Sequence, residues 1–348
     1  MRHPIFFLLL TCLAAKAMAG WCPNNIPIVT LAPQQVAGFS WSKAIQPMGD
    51  ACVQSIEVDP TNDHAWYVGG INGLYITKDG GMTWKKSPVG NNVYALLVPA
   101  GQPWLVYAGA DTKLWLSRDR GNSWNVIYTF PQPIRSLLVA GGTLYVGLGW
   151  SDHINPSGVY SSNLGAGFMT FHPFGAGQTG LIVWTLSRHP LSGMIYAGTE
   201  IFDHPQPYHP PFFRSPNNAV SWLNVAGNLP WHVIDSDVRP ADGYVYALTE
   251  GYGVYGSATQ GNNWQPPQSS PGLGGTLLMD PKVPTRLYVG RQKFGTLNGG
   301  IFASTDAGKT YKSIGLQGVT VGDIALNGAV TRIYVAAYAS GIYTSPVP

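Results

Sequence analysis

The fold is decided by the stretch Gly73-Leu74-Tyr75-Ile76-Thr77-Lys78-Asp79-Gly80-Gly81-Met82-Thr83-Trp84. Bulky residues alternate with small or polar ones, and a short polar turn then leads to an aromatic residue, which is the pattern of a β-hairpin. We expect Asp79 to accept hydrogen bonds from backbone N–H groups of the turn and Gly81 to adopt a positive φ. Trp84 is expected to begin the return strand and to be buried between sheets.

The same spacing recurs along the chain. Residues 117–124 and 304–311 repeat it closely, whereas residues 161–168, 215–222 and 257–264 keep the spacing with the Asp replaced. A seventh copy starts at residues 341–345 and meets the end of the chain. The structural turn positions predicted from the three close copies are Asp79, Gly81, Trp84, Asp119, Gly121, Trp124, Asp306 and Gly308.

The pattern Thr77-x-Asp79-x-Gly81-x-Thr83-Trp84 resembles the Asp-box, or BNR, repeat. That repeat is found in sialidases, xyloglucanases, sortilin-type receptors and photosystem II assembly factors. The resemblance implies a β-propeller in which the repeated turns are structural. In size and export signal, the chain is closest in build to the assembly-factor-like and sialidase-superfamily propellers.

A second repeat fixes the number of units. Seven strand patterns carry a Tyr followed by small residues, and their tyrosines are Tyr67, Tyr107, Tyr145, Tyr196, Tyr246, Tyr288 and Tyr334. The spacing of about 47 residues is that of a four-stranded propeller blade. The sequence therefore predicts an all-β fold, a single seven-bladed β-propeller. The segment Phe39-Ser40-Trp41-Ser42-Lys43 resembles residues 82–86 and is expected to complete the last blade, which removes the exposed sheet edges.

The N-terminus has the features of an export signal. Residues 1–19 contain Arg2, an apolar run and Ala17-Met18-Ala19, which predicts a signal peptide cleaved after Ala19. We expect residues 20–36 to form a tail and residues 37–348 to form the propeller. The mature chain is expected to be secreted or periplasmic and to have no integral membrane segment.

Charge and cysteine content narrow the possible partners. Removal of Arg2 and Lys16 lowers the formal charge from +3 to +1, which gives no electrostatic support for a nucleic-acid partner. Cys22 and Cys52 remain in the mature chain and are predicted to form one disulfide. A thiolate metal site is not expected, and we assign no metal ion and no cofactor.

Acidic residues recur on the face opposite the repeated turns. The residue four positions after the Tyr is Glu200 in the fourth unit and Glu250 in the fifth, and Asp235 lies near the start of an inner strand. Paired carboxylates could act as the acid and the base or nucleophile of a glycoside hydrolase. The alternative is that they are acids of the rim in contact with solvent or with an Arg.

Two long loops and several inner-strand residues complete the candidate site. Asp152-His153 and Asp203-His204 occupy equivalent loop positions and could bind a divalent metal, supply acid-base groups, or be polar loop residues only. Aromatic and basic residues of the same third of the ring could form a platform for a sugar or a peptide, or could pack between blades. The further candidates for ligand binding are Arg135, Trp150, Trp184, Trp231 and His232.

The sequence lacks the motifs that the enzymes with this repeat carry, which argues against catalysis. No Arg precedes Gly73 in the mature chain, whereas a sialidase carries a Phe/Tyr-Arg-Ile-Pro motif there, and Ile71 or Asn72 stands where xyloglucanases have a catalytic Asp. We therefore predict an exported, non-catalytic and monomeric propeller that acts as a protein-binding or assembly scaffold. The alternative is a carbohydrate-active propeller, a glycoside hydrolase or lectin, that uses Glu200, Glu250 and Asp235 beside the tryptophans.

Overall fold

The protein is a seven-bladed β-propeller, as predicted. The computed structural model describes residues 34–44, 52–149, 157–164, 169–175, 180–201, 212–272, 274–293 and 298–348. These residues form antiparallel sheets around a central channel, and they contain no helix. None of them therefore forms a helix that is long and apolar enough to cross a membrane.

The strands of each blade are given from the channel outward. Blade 1 contains Val53–Val58, Trp66–Gly70, Gly73–Thr77 and Lys85–Lys86. Blade 2 contains Val93–Leu97, Val106–Ala110, Lys113–Ser117 and Asn125–Thr129. Blade 3 contains Ile134–Ala140, Thr143–Leu148, Gly158–Asn163 and Thr170–Pro173. Blade 4 contains Leu181–Arg188, Ile195–Ile201, Phe212–Ser215 and Leu223–Asn224.

The remaining blades follow the same order. Blade 5 contains Val233–Val238, Val245–Thr249 and Gly253–Ser257, and an isolated bridge between Gly256 and Gln265 stands in place of its outer strand. Blade 6 contains Gly274–Met279, Leu287–Arg291, Gly300–Ser304 and Lys312–Gly315. Blade 7 contains Thr320–Leu326, Arg332–Tyr338, Gly341–Pro346, Phe39–Lys43 and Gln34–Val36.

The N-terminal strand closes the ring, as predicted. Ser42 pairs with Thr344 and Lys43 with Tyr343, so Phe39–Lys43 forms the fourth strand of blade 7. Trp41 is buried, and its indole Nε1 donates a hydrogen bond of 2.6 Å to the carbonyl of Ile314 in blade 6. The segment Gln34–Val36, which lies in the predicted tail, adds a fifth strand to the same sheet.

The repeated Tyr and Gly residues explain how neighbouring blades pack. The tyrosines of all seven second strands are buried, with at most 1% of each residue exposed. Two residues after Tyr67, Gly69 lies so close to blade 2 that an added Cβ would be 2.7 Å from Cγ1 of Val93. Gly109, Gly147, Gly198 and Gly290 make equivalent close approaches to the next blade. The Tyr-x-Gly pattern therefore allows close packing between blades.

The predicted turns form with the expected hydrogen bonds. Oδ1 of Asp79 accepts bonds from the backbone N–H groups of Met82 and Thr83, at 3.1 and 2.9 Å, and Gly81 has a φ of 87°. In blade 4, where Asn replaces Asp, Oδ1 of Asn217 accepts the equivalent bond from the Ser221 N–H. These turns lie at one face, which we call the turn face. The inner strands begin at the opposite face, which we call the loop face.

Two sequence predictions, the signal peptide and the disulfide, involve residues outside the described part of the chain. Residues 1–33 are not described, so the signal peptide and its cleavage site stay predictions. Cys52 is buried at the start of the first inner strand, and Cys22 lies outside the described residues. The disulfide therefore also stays a prediction.

Candidate functional site

Each inner strand carries one β-bulge near the loop face. The register with the second strand shifts between Val53 and Ser55 in blade 1 and at the equivalent place in each of the other six blades. A bulge leaves one residue out of the ladder and turns its side chain in a new direction. The seven bulge residues are Gln54, Tyr94, Arg135, Trp184, Ile234, Gly275 and Gly322.

The bulge residues make the channel mouth asymmetric. Blades 1 to 4 contribute Gln54, Tyr94, Arg135 and Trp184, whereas blades 6 and 7 contribute only glycines. A pocket of about 60 Å³ opens at this mouth, and its lining includes those four side chains. The inner strands below enclose a larger space of about 530 Å³. The described residues of the loop face therefore form a small pocket above a wide channel.

Arg135 is held between two aromatic rings. Its guanidinium carbon lies 4.3 Å from the ring centroid of Tyr94 and 5.2 Å from that of Trp184. Its Nε donates a hydrogen bond of 3.1 Å to the carbonyl of Gly149. Cation–π contact and burial fix the orientation of the guanidinium. The structure thus brings together two of the predicted ligand-binding residues, Arg135 and Trp184.

Glu200, His232 and Glu250 form a compact cluster between blades 4 and 5. Nδ1 of His232 lies 3.7 Å from Oε1 of Glu200 and 3.8 Å from Oε2 of Glu250. Glu250 faces His232 across the two strands of blade 5, and its N–H donates a bond of 3.0 Å to the His232 carbonyl. Glu200 reaches the cluster from the second strand of blade 4. All three residues were predicted from the sequence to lie on the loop face.

The Glu200 carboxylate is buried and is engaged on one side. The indole Nε1 of Trp184 donates a hydrogen bond to its Oε2. Burial, followed by the neighbouring Glu250 carboxylate, raises the pKa of Glu200 to about 8, and the Trp184 bond and Arg135 partly offset this effect. The Glu250 side chain is 16% exposed, and it is therefore the most accessible carboxylate of the cluster.

Trp231 shields the cluster. Its ring lies against the imidazole of His232, with ring centroids 4.7 Å apart and planes inclined by 32°. The half-buried indole thus reduces the access of solvent to His232. Trp231 contacts the site through this imidazole.

Asp235 belongs to the channel wall and not to the cluster. Its Oδ1 accepts a hydrogen bond from the Thr185 hydroxyl at 3.1 Å, and its Oδ2 accepts one from the Leu277 N–H at 2.8 Å. The carboxylate thus links the inner strands of blades 4, 5 and 6. Asp323 plays the same part between blades 7 and 1, where its Oδ2 accepts from the N–H of Ile56. These bonds give Asp235 a structural role in the channel wall, and its part in the alternative catalytic site stays a prediction.

Several predicted residues lie outside the described part of the chain. These are Trp150, Asp152, His153, Asp203 and His204. Conversely, sequence reasoning missed Gln54, Tyr94 and Tyr338, which line the mouth. A recurrent pattern marks the bulges in six of the seven inner strands: Val or Ile, then a variable residue, then a small, hydroxyl or acidic residue, at or near the start of the strand. The bulge residue lines the mouth pocket in every blade except blade 5, where Ile234 is buried in a hydrophobic cluster.

No protein-family model and no curated protein matches the chain. The chain is similar to solved structures at low sequence identity. A structure described as YCF48 bound to D1 peptide is 15% identical, with a TM-score of 0.63, over 93% of this chain and 98% of that one. YCF48 from Cyanidioschyzon merolae is 14% identical, with a TM-score of 0.60, over 88% of this chain and 98% of that one.

A third similar structure is longer than this chain. The GH74 xyloglucanase from Xanthomonas campestris is 16% identical, with a TM-score of 0.67, over 87% of this chain. The match covers 53% of the xyloglucanase, so this chain spans about half its length. At such identities these similarities establish the propeller fold alone.

Proposed function

We propose that the protein is an exported Asp-box propeller that acts as a scaffold and binds a polypeptide segment on its loop face. The observation that supports this most directly is the asymmetric mouth, where Tyr94, Arg135 and Trp184 converge beside Gly275 and Gly322. Aromatic residues and Arg are enriched in the anchoring positions of protein interfaces. The side chains on blades 1 to 4 supply such anchors, and the glycines of blades 6 and 7 add no side chain to the mouth.

The mouth pocket itself is smaller than a typical small-molecule site, whereas the channel space of about 530 Å³ below it has the volume of such a site. Pockets for small molecules typically have volumes of about 300–1,000 Å³. The mouth pocket, at about 60 Å³, has space for part of one side chain or for a terminal carboxylate. A partner would insert one such group and lie across the loop face. The Arg135 guanidinium suits a carboxylate anchor, because its planar fork matches carboxylate geometry.

The similar structures are consistent with this proposal. One of them is described as bound to a peptide, and it matches this chain over nearly the full length of both. Export is supported by the sequence of residues 1–19. N-terminal sequencing of the exported protein should find Gly20 as the first residue, whereas a retained residue 1 would contradict export by cleavage.

Selection from a random peptide library displayed on phage tests the proposal. The purified protein should enrich specific peptides, and Arg135→Gln should weaken binding of a synthesised peptide at least tenfold. Met82→Ala is the matched control, because Met82 is 64% exposed on the turn face. It should bind the peptide as the wild type does. Failure to enrich any peptide, or unchanged binding by a folded Arg135→Gln variant, would refute the proposal.

One observation favours a second candidate function, that of a glycoside hydrolase. Oxygens of Glu200 and Glu250 lie within 4.8 Å of each other, and the pKa of Glu200 is raised to about 8. A protonated carboxylic acid beside a second carboxylate is the arrangement used by such enzymes. Hydrolysis of a β-glucan by the wild type, lost in Glu250→Gln, would support this candidate. It is less favoured because Glu200 is buried and is bonded to Trp184.

A further inference from the structure

The cluster between blades 4 and 5 contains three side chains, two carboxyl groups and one imidazole, of the types that bind metal ions. Donor atoms of Glu200, His232 and Glu250, one from each residue, all lie within 4.8 Å of one another. Glu200 and His232 are buried, at 4% and 5% exposure, and Glu250 is half-buried. The cluster thus differs from acidic groups that lie together on a protein surface.

The spacing of the donors is close to that of ligands around one ion. At metal–ligand distances of about 2.0–2.2 Å, tetrahedral ligands are separated by roughly 3.3–3.6 Å. The two separations from His232 Nδ1 are 3.7 Å to Glu200 Oε1 and 3.8 Å to Glu250 Oε2. Small rotations of the side chains would therefore bring the three donors to bonding positions.

The surrounding residues orient the donors as an outer shell orients metal ligands. The Trp184 indole donates to Oε2 of Glu200, and it is Oε1 that faces His232. The backbone bond from the Glu250 N–H to the His232 carbonyl holds these two residues together at the loop-face ends of two adjacent strands of blade 5. Hydrogen bonds to ligating carboxylates commonly orient them in this way. The donor set is therefore held in place by both blades.

The charges favour a cation. Two carboxyl groups share the site with the His232 imidazole, and Arg135 also acts electrostatically on Glu200. Arg135 lies against the rings of Tyr94 and Trp184. A divalent ion would neutralise the carboxylates at the point where they and the imidazole converge.

We propose that Glu200, His232 and Glu250 bind one divalent transition-metal ion, with Zn²⁺ as the preferred ion. One imidazole and two carboxylates suit Zn²⁺, whereas Ca²⁺ requires six to eight oxygen ligands. Three protein ligands leave a fourth position for water or for a ligand group. The ion would join blade 4 to blade 5, and the proposal does not depend on what the loop face binds.

Titration calorimetry with Zn²⁺, after treatment with EDTA and buffer exchange, tests the proposal. The wild type should bind one equivalent with a micromolar or lower Kd, and Ca²⁺ should bind at least 100-fold more weakly. Glu250→Gln and His232→Gln should each weaken Zn²⁺ binding at least tenfold. Circular dichroism and thermal unfolding verify that each variant is folded.

Asp111→Asn is the matched control. Asp111 holds the position of Glu250 in blade 2, where its Oδ1 accepts a bond of 2.8 Å from Asn92, which stands in the place of His232. This variant should bind Zn²⁺ as the wild type does. Anomalous diffraction from Zn²⁺-soaked wild-type crystals needs no variant and should place the ion among the three side chains.

Three results would overturn the proposal. The first is the absence of stoichiometric Zn²⁺ binding by the wild type, which would mean that the imidazole alone bridges the carboxylates. The second is unchanged binding by folded Glu250→Gln, which would place the ion elsewhere. The third is an anomalous peak away from Glu200, His232 and Glu250.

Discussion

The indole Nε1 of Trp184 donates a hydrogen bond to Oε2 of Glu200, and both side chains are buried. Trp184 is the bulge residue of blade 4, and Glu200 lies on the adjacent strand of the same blade. This bond joins the mouth of the channel to the carboxylate cluster. A change at Trp184 is therefore expected to affect both.

Removing the indole donor should destabilise the protein. We expect Trp184→Phe to lower the free energy of unfolding by about 1–3 kcal/mol, because the buried carboxyl group of Glu200 loses a hydrogen bond. Urea unfolding in metal-free buffer at neutral pH measures this. Trp115→Phe is the control, since Nε1 of Trp115 has no hydrogen-bond partner among the described residues. Equal losses in the two variants would mean that the Trp184 bond adds no stability.

Because blades 1 and 2 approach closely at Gly69, we expect one added methyl group there to destabilise the protein. Gly69→Ala should lower the free energy of unfolding by about 1–3 kcal/mol, because its Cβ would clash with Val93 and Ser55. In Gly101→Ala the added Cβ would have no atom within 4 Å, so this variant should be as stable as the wild type or more so. Thermal unfolding compares the two. A stable Gly69→Ala variant would contradict the packing described.

The turn carboxylates predict a loss of stability in acid. A hydrogen bond from the Thr83 hydroxyl is the largest cause that lowers the pKa of Asp79 to about 2, and Ser123 does the same for Asp119. Because these folded-state values lie below the ordinary value of 3.8, their stabilisation is present above pH 4 and is lost as the pH falls towards 2.

The double variant Asp79→Asn, Asp119→Asn tests this acid dependence. Asn217 already forms the equivalent turn in blade 4, so the variant should fold. Its unfolding temperature should fall less steeply than that of the wild type between pH 4 and pH 2. If the unfolding temperatures of the two proteins fell in parallel with pH, these carboxylates would not stabilise the fold through their ionised form.

For Glu57 we expect the opposite pH dependence, a loss of stability as the pH rises. Burial in the channel, followed by repulsion from Asp323, raises the pKa of Glu57 from 4.5 to about 8. The folded state thus holds this proton more tightly, so stability is greatest below pH 4.5 and falls as the pH rises towards 8. Glu57→Gln should remove this contribution and be more stable than the wild type at pH 8. Asp63→Asn, at an exposed site, should leave the slope unchanged.

Because the N-terminal strand closes the ring, we expect the stability of blade 7 to depend on Trp41. Trp41→Ala should cost about 3–5 kcal/mol, because a buried aromatic side chain is lost. Its indole bond to Ile314 and its stacking on Phe39, with centroids 5.9 Å apart, would be lost as well. Urea unfolding gives the size of the effect, and hydrogen exchange of Gly341–Pro346 should rise. Unchanged exchange there would contradict closure by the N-terminal strand.

The fold could be predicted from the sequence because local patterns repeat in it. The seven tyrosines mark buried second strands, and the likeness between Phe39–Lys43 and residues 82–86 located the closing strand. Both signals come from side chains that each blade must bury or place in a turn. They specify the unit without information from distant residues.

The site could be predicted only in part. Glu200, Glu250 and His232 were placed on the correct face, but their convergence depends on how adjacent blades meet. Asp235 and Trp184 were both read as residues at the start of inner strands. The bulge separates their roles. Trp184 is the bulge residue of blade 4 and points to the mouth, whereas Asp235 follows the bulge residue of blade 5 and faces the next blade. A one-residue shift of register reverses the direction of a side chain.

Hydrogen exchange with a peptide selected on the wild-type protein tests the proposed function most directly. The account predicts that the peptide slows exchange at the starts of the inner strands of blades 2 to 4, around Tyr94, Arg135 and Trp184. Exchange at the turn around Asp79 should not change. Slower exchange at the turn face alone, or no change anywhere with the peptide at saturation, would contradict binding at the mouth.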